Sequence, residues 1–311
     1  MKPGKRQQKE PETKETNITP ITMFRSTIAN DCPVPKGTLL IIGGKEDKGL
    51  ASDDVNEEDK KNRLEVLGKF IELTGKENPV IEVITTASKE EDELFEDYRR
   101  VFTELKVTNV GQIHHKKRGE ALADNLEERV KNADAFFLTG GDQLLLTSIY
   151  GGTPFLTHLK ERYITTDLVI GGTSAGAMAM STPMIYAGNK EVQQITGEIK
   201  ITTGLEFLRD VCIDTHFIDR SRFIRMAQVI ASNPTCVGIG IEEDTAIIVR
   251  EGAKAEVVGT GVITVMEGFN ITHSNIDDFS DKQPIGIQNL KVHLLPRGWV
   301  YDIPYINPPH R

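Results

Sequence analysis

The chain has 311 residues, 38% of them hydrophobic and 27% charged, with a formal net charge of -9. That size and composition fit one large α/β domain or two smaller ones with a substantial core. The acidic balance argues against a nucleic-acid binder, because neutralising phosphates needs an excess of Lys and Arg on at least one face.

Residues 1–33 are a polar stretch without the apolar segment of a secretory signal, and no run in the chain approaches a membrane span in length. The expectation is a polar N-terminal tail on a cytoplasmic protein, followed by a single α/β domain over 34–311. Cys32, Cys212 and Cys236 are scattered, with no C-x-x-C pair. They suggest neither a disulfide framework nor zinc, and Cys212 and Cys236, in apolar runs, are expected as core thiols.

GTLLIIGG (37–44) predicts a short strand stopped by a glycine pair. The stretch 54–75 predicts a helix, with Leu64, Leu67, Phe70 and Ile71 at helical spacing and Gly75 as its C-cap. PVIEVITTAS (79–88) is the next strand, and 90–107 an amphipathic helix with Leu94, Tyr98, Val101, Phe102 and Leu105 on one face. A short strand at 110–117 and a helix at 121–133 lead to ADAFFLTGGDQ (133–143), a strand ending in another glycine pair. Helix, loop and helix follow, then LVIGGTSAGA (168–177) as strand, sharp turn and helix. Strands alternating with helices indicate βαβ units and a mostly parallel sheet sandwiched by helices. Beyond about residue 190 the pattern becomes strand-rich with glycine turns, which predicts C-terminal hairpins added to that sheet.

In open parallel sheets, ligands bind beyond the carboxyl ends of the strands. Three glycine-bearing stretches, 41–44, 137–143 and 169–176, are expected at that edge, where backbone amides can approach a ligand closely. GTSAG (172–176) fits G-x-S-x-G, the nucleophile elbow, and has a strand before it and a helix after it as that motif requires. Ser174 is therefore the candidate nucleophile, against the plainer reading of a turn residue at a helix start. His216, in DTHFIDRSRFIRM, follows the apolar VCID at a strand end and is the candidate base. His114 and His115, in HHKKR, are expected in a solvated surface run, and His158 in a structural role. Glu191, Glu198 and Asp214 are all candidates for the carboxylate that orients the imidazole. Arg220, Arg222 and Arg225 offer guanidinium forks for a substrate carboxylate, with salt bridges to this protein's own acids as the alternative.

FLTGGDQ, GGTSAGA and DTHFIDRSRFIRM, in this order and spacing, resemble the cyanophycinases, of the serine peptidase family that also holds the aspartyl dipeptidases. The likeness runs from IIGGKED to LKVHLLPRGWVYD. It implies a class I glutamine amidotransferase-like fold and hydrolysis of cyanophycin, a polyaspartate bearing arginine on its side chains, to β-Asp-Arg dipeptides. By the same resemblance Ser174, His216 and Glu191 are catalytic, and the amides of Ala175 and Gly141 form the oxyanion hole. Asp142, Gln143, Asp214, Thr215 and the arginines at 220, 222 and 225 match substrate-pocket positions. A homodimer is implied; no metal and no organic cofactor is. Thr215 stands where the family usually has glutamine, and Thr147 where a basic residue is expected, so other β-aspartyl or isoaspartyl peptides are alternative substrates. A carboxylesterase with the same elbow is weakened by the missing HGGG-like motif. A Rossmann-like binding module is weakened by the missing G-x-G-x-x-G, and a catalytically dead peptide binder completes the alternatives.

Overall fold

A computed structural model describes residues 33–46, 48, 64–187, 199–277 and 284–304. Its first strand, β1 (Thr38–Ile42), buries Leu39 to Ile42 completely. A run with no polar face to give to solvent belongs inside a sheet covered on both sides. Leu39 and Ile41 enter one apolar cluster and Leu40 and Ile42 another, the period-two alternation of a strand with both faces buried.

The following elements are α1 (Glu65–Leu73), β2 (Ile81–Ile84), α2 (Glu91–Glu104), β3 (Val110–Ile113), α3 (Arg118–Ala123), α4 (Glu127–Asn132), β4 (Ala135–Leu138), α5 (Gln143–Tyr150), α6 (Pro154–Thr165), β5 (Val169–Thr173) and α7 (Ala175–Ala179). Short strands β6 (Ser181–Thr182), β7 (Met184–Ala187), β8 (Lys200–Thr202) and β9 (Leu208–Arg209) come next, then β10 (Val211–Thr215), α8 (Phe223–Ser232) and β11 (Val237–Ile241). The chain ends its described part with β12 (Thr245–Arg250), β13 (Lys254–Gly259), β14 (Val262–Glu267), β15 (His273–Ser274), β16 (Ile287–Gln288), β17 (Lys291–Pro296) and β18 (Val300–Asp302).

Among the described residues these strands form an eight-stranded sheet in the order β18-β13-β12-β1-β5-β4-β2-β3. Its centre, β1, β5, β4, β2 and β3, is parallel, and the β12–β13 hairpin adds to β1 antiparallel. The sequence pattern predicts hairpins that extend this sheet, but the C-terminal strands do more than that. A second, six-stranded sheet, β17-β14-β11-β10-β6-β9, is built around the parallel pair β10 and β11. Ile41, Leu138 and Ile170 of the first sheet and Ile213, Ile239 and Val265 of the second share one apolar cluster. The opposite face of the first sheet packs on α1 and α2, where Phe70 and Phe137 meet edge-on at 5.2 Å between ring centres. The outer face of the second sheet packs on α8 through Cys212, Met226 and Ile230.

The helix expected over 121–133 is two short helices. Asp124 leaves the helical region (φ -80, ψ 128), and the Asn125 side chain accepts from the Glu127 amide to start the next helix. The break lets the Asp124 carboxylate reach His115 Nε2 at 3.1 Å. His115 is buried, with Nδ1 3.0 Å from the Tyr150 hydroxyl, and His114 Nδ1 lies 3.1 Å from Thr85 Oγ1. The HHKKR run is thus not a solvated face at its histidines: β3 ends under them, and both rings turn inward.

Candidate active site

The glycines around Ser174 have separate physical reasons. A Cβ on Gly171 would lie 2.7 Å from Phe70 and 2.8 Å from Phe137, so this glycine admits the aromatic packing under β5. A Cβ on Gly172 would lie 2.6 Å from Met180 and 2.9 Å from Gly176, and one on Gly176 would strike the Leu138 carbonyl. Between them Ser174 adopts φ 49, ψ -111, a conformation that costs a non-glycine residue about 1–3 kcal/mol. It is held there by its own amide, which donates to Ile42 O at 3.2 Å, and by its carbonyl, which accepts from Met178 N at 3.0 Å. The result is a strand that stops at β5, a helix that starts at Ala175, and a serine hydroxyl at the junction.

His216 meets that hydroxyl from the second sheet. It follows β10 at φ 49, its amide donates to Gly43 O at 2.9 Å, and its ring lies against Gly44, whose φ is 102 and where any Cβ would intrude on the imidazole. Ser174 Oγ and His216 Nε2 are 3.0 Å apart. His216 Nδ1 is 2.6 Å from Glu243 Oε1, on the turn after β11. Burial pushes His216 below its ordinary pKa; the Glu243 hydrogen bond opposes this, Arg220 and Arg222 reinforce it, and the net direction is down. Burial also pushes Glu243 up, but hydrogen bonds from Lys45 and His216 outweigh it and hold the carboxyl below its usual range. A serine, a neutral imidazole and an ionised carboxylate in this line can pass a proton from Oγ to Nε2 while the charge on the ring is compensated.

Glu191 and Glu198 lie outside the described residues. Among the described residues, the carboxylate on His216 Nδ1 is Glu243, which follows the histidine in the chain. Asp214, the third candidate, is turned elsewhere. It is wholly buried and takes Arg222 Nη1 at 2.9 Å and Arg225 Nε at 2.6 Å, along with the Thr215 amide at 2.9 Å. Two of the three arginines thus pair with the protein's own acid, the alternative reading of that motif. Burial is the largest influence on Arg222, pushed down to about 10 against the pull of Asp214. Arg220 is exposed. Thr215 is wholly buried at the end of β10, with no hydrogen-bond partner for its hydroxyl among the described residues.

The GGDQ turn lies beside the serine: a Cβ on Gly140 would be 3.5 Å from Ser174 Cβ. Gly141 has φ 137 and sits against the Ala87 carbonyl, which accepts from the Asp142 amide at 2.9 Å. Asp142 caps α5 by accepting from Leu144 N at 2.9 Å, and Gln143 donates its side-chain amide to Ile185 O at 2.8 Å. Thr147 turns its hydroxyl back to Leu144 O at 3.1 Å. Ala175 is the first residue of α7, so its amide has no partner within the helix.

Three residues near the site escaped the sequence reading. Glu243 was readable in principle, as the second of two acids after β11, the strand that pairs with the one His216 follows. Glu46 is 5% exposed and accepts from the Thr173 and Tyr98 hydroxyls, buttressing the residue before Ser174. Lys45 sets its ammonium 2.8 Å from Glu243 Oε1. Among the described residues no group of three His, Cys, Asp or Glu could hold a metal ion, and no helix is long and apolar enough to cross a membrane.

A family model described as peptidase family S51 matches residues 52–257. The chain belongs to peptidase family S51. As a member it is a serine peptidase, and the stretch matched by the family model includes both Ser174 and His216. The cyanophycinase of Geminocystis herdmanii is 28% identical over 267 residues, covering 86% of this chain and 94% of that protein. The cyanophycinase of Nostoc sp. is 30% identical over 282 residues, 91% of each. A solved peptidase from an acI-B1 Actinobacterium superposes with a TM-score of 0.58 at 20% identity, covering 87% of this chain and 98% of the other. The two chains thereby share their fold.

Proposed function

We propose that this S51 peptidase hydrolyses cyanophycin to β-Asp-Arg dipeptides, with Ser174, His216 and Glu243 as its catalytic triad. The observation that carries the reading is the continuous line from Ser174 Oγ to His216 Nε2 (3.0 Å) and from His216 Nδ1 to Glu243 (2.6 Å). The cyanophycinase relatives, matched over most of their length, support the substrate.

In this mechanism the Ser174 hydroxyl gives its proton to His216 Nε2 as Oγ attacks an aspartyl carbonyl carbon. The tetrahedral oxyanion is met by the amides of Gly141 and Ala175. Collapse breaks the C–N bond, and His216 passes the proton to the leaving amine. Water, deprotonated by the same imidazole, then cleaves the acyl-enzyme and regenerates the serine. Glu243 holds the ring and compensates its transient charge. The exposed Arg220 is the guanidinium left to meet a substrate carboxylate, since Arg222 and Arg225 are engaged by Asp214. A homodimer belongs to the same proposal, and light scattering of the purified protein tests it.

One observation favours a second reading, hydrolysis of other β-aspartyl peptides: Thr215, in place of an amide-bearing side chain, is wholly buried and offers the pocket no donor. Incubation with insoluble cyanophycin and, in parallel, with isolated β-aspartyl dipeptides separates the two. Release of β-Asp-Arg from the polymer supports the first reading; cleavage of dipeptides alone supports the second.

A further inference from the structure

Lys45 lies three residues past β1, next to the glycine that receives the His216 ring. Its backbone is in the left-handed region (φ 43), where a lysine is held only if its surroundings fix it. Its side chain is 68% exposed, but the ammonium is not left to solvent: it lies 2.8 Å from Glu243 Oε1, the same oxygen that faces His216 Nδ1 at 2.6 Å. An exposed ion pair of this kind contributes little to stability. What it changes is the charge available to the imidazole, because one carboxylate oxygen now serves two cations whenever His216 is protonated.

We propose that Lys45 is a positioning residue that fixes Glu243 Oε1 and weakens its hold on the protonated His216, so that the imidazole stays a neutral base under mildly acidic conditions. This inference rests on Glu243 being the partner of His216. The charged groups acting on that ring are Glu243 after β11, Arg220 and Arg222 before α8, and Lys45 acting through Glu243. Glu46, next in the chain, is turned away to Thr173 and Tyr98. Removing the ammonium leaves Glu243 free to pull on the imidazolium, which must raise the pH at which His216 titrates. The Lys45 contribution is screened by salt, so raising ionic strength moves the intact protein in the same direction.

The test is a nuclear magnetic resonance titration of the His216 ring in the unsubstituted protein, Lys45→Met and Lys45→Arg. It needs no substrate, so it stands or falls separately from the assignment of cyanophycin. Lys45→Met is expected to raise the His216 midpoint by about half a pH unit or more, and Lys45→Arg to restore most of the original value. Unchanged melting temperatures would show that the fold is retained. A midpoint that stays within about a tenth of a unit in Lys45→Met overturns the proposal. On any substrate the enzyme turns over, the acid limb of kcat/KM must move with the midpoint while KM stays constant; a raised KM with an unmoved limb would make Lys45 a substrate contact and also overturn it.

Discussion

Ser174 and His216 both occupy positive-φ conformations, as do Lys45 and Asp244 beside them. Backbone strain is concentrated where four strand ends from two sheets (β1, β5, β10 and β11) converge, and it persists because glycines at 43, 44, 172 and 176 clear the space around it. At this scale the account predicts that Ser174→Ala removes nearly all turnover while melting temperature changes little. Retention of more than a few per cent of activity by purified Ser174→Ala would remove the serine from the mechanism. Glu243→Gln should lower kcat by about a hundredfold or more, since an amide can no longer balance the imidazolium, whereas Glu191→Gln should stay close to the unsubstituted rate. The opposite ranking of those two variants would return Glu191 to the triad. The pH dependence has a fixed sign. His216 must be neutral to accept the proton, and its titration lies below the ordinary histidine value, so kcat/KM falls on acidification only once the pH has dropped below that value. An acid limb above it would contradict the burial argument.

The elements explain how a short motif gains its geometry. The elbow needs β5, α7 and β4 together: Gly176→Ala pushes a methyl group into the Leu138 carbonyl and should cost about 2 kcal/mol or more, seen as a melting temperature lower by several degrees. An unchanged melting temperature would mean that α7 shifts freely over β4. The β10–α8 unit depends on the buried Asp214 with its two arginines. Asp214→Ala strands two guanidiniums in a poorly solvated place and should destabilise by about 3 kcal/mol or more in chemical denaturation; a loss under about 1 kcal/mol would show that the arginines find water instead. Much of this was legible beforehand. The central strands, the glycine edge and the elbow follow from aliphatic runs broken by glycine pairs, and Ser174 with His216 from strand-end positions. The split of 121–133 was hidden because apolar spacing does not mark the break at Asp124, and the contact that goes with it, Asp124 to His115, lies outside any helical pattern. Glu243 was hidden because it becomes a neighbour of His216 only through the parallel pairing of β10 with β11, and a linear reading looks between serine and histidine first.

Across the whole molecule, the site is a seam. Ser174 is supplied by the first sheet, His216 and Glu243 by the second, and Gly43 and Gly44 link them through hydrogen bonds to His216 and Asp244. The C-terminal strands therefore contribute more than an extended edge: without β11 and its partner β14 there is no second sheet to hold His216. Composition alone could not reveal this, because hairpins that extend one sheet and hairpins that found another have the same alternation. The substrate is likewise a property of the assembled site, where Arg220 is exposed and Thr215 is wholly buried. The measurement that tests the central claim most directly is mass spectrometry of the soluble products after incubation of insoluble cyanophycin with the purified protein and with Ser174→Ala. β-Asp-Arg is expected from the unsubstituted protein and none from the variant. Intact polymer in both, or equal release in both, would contradict it.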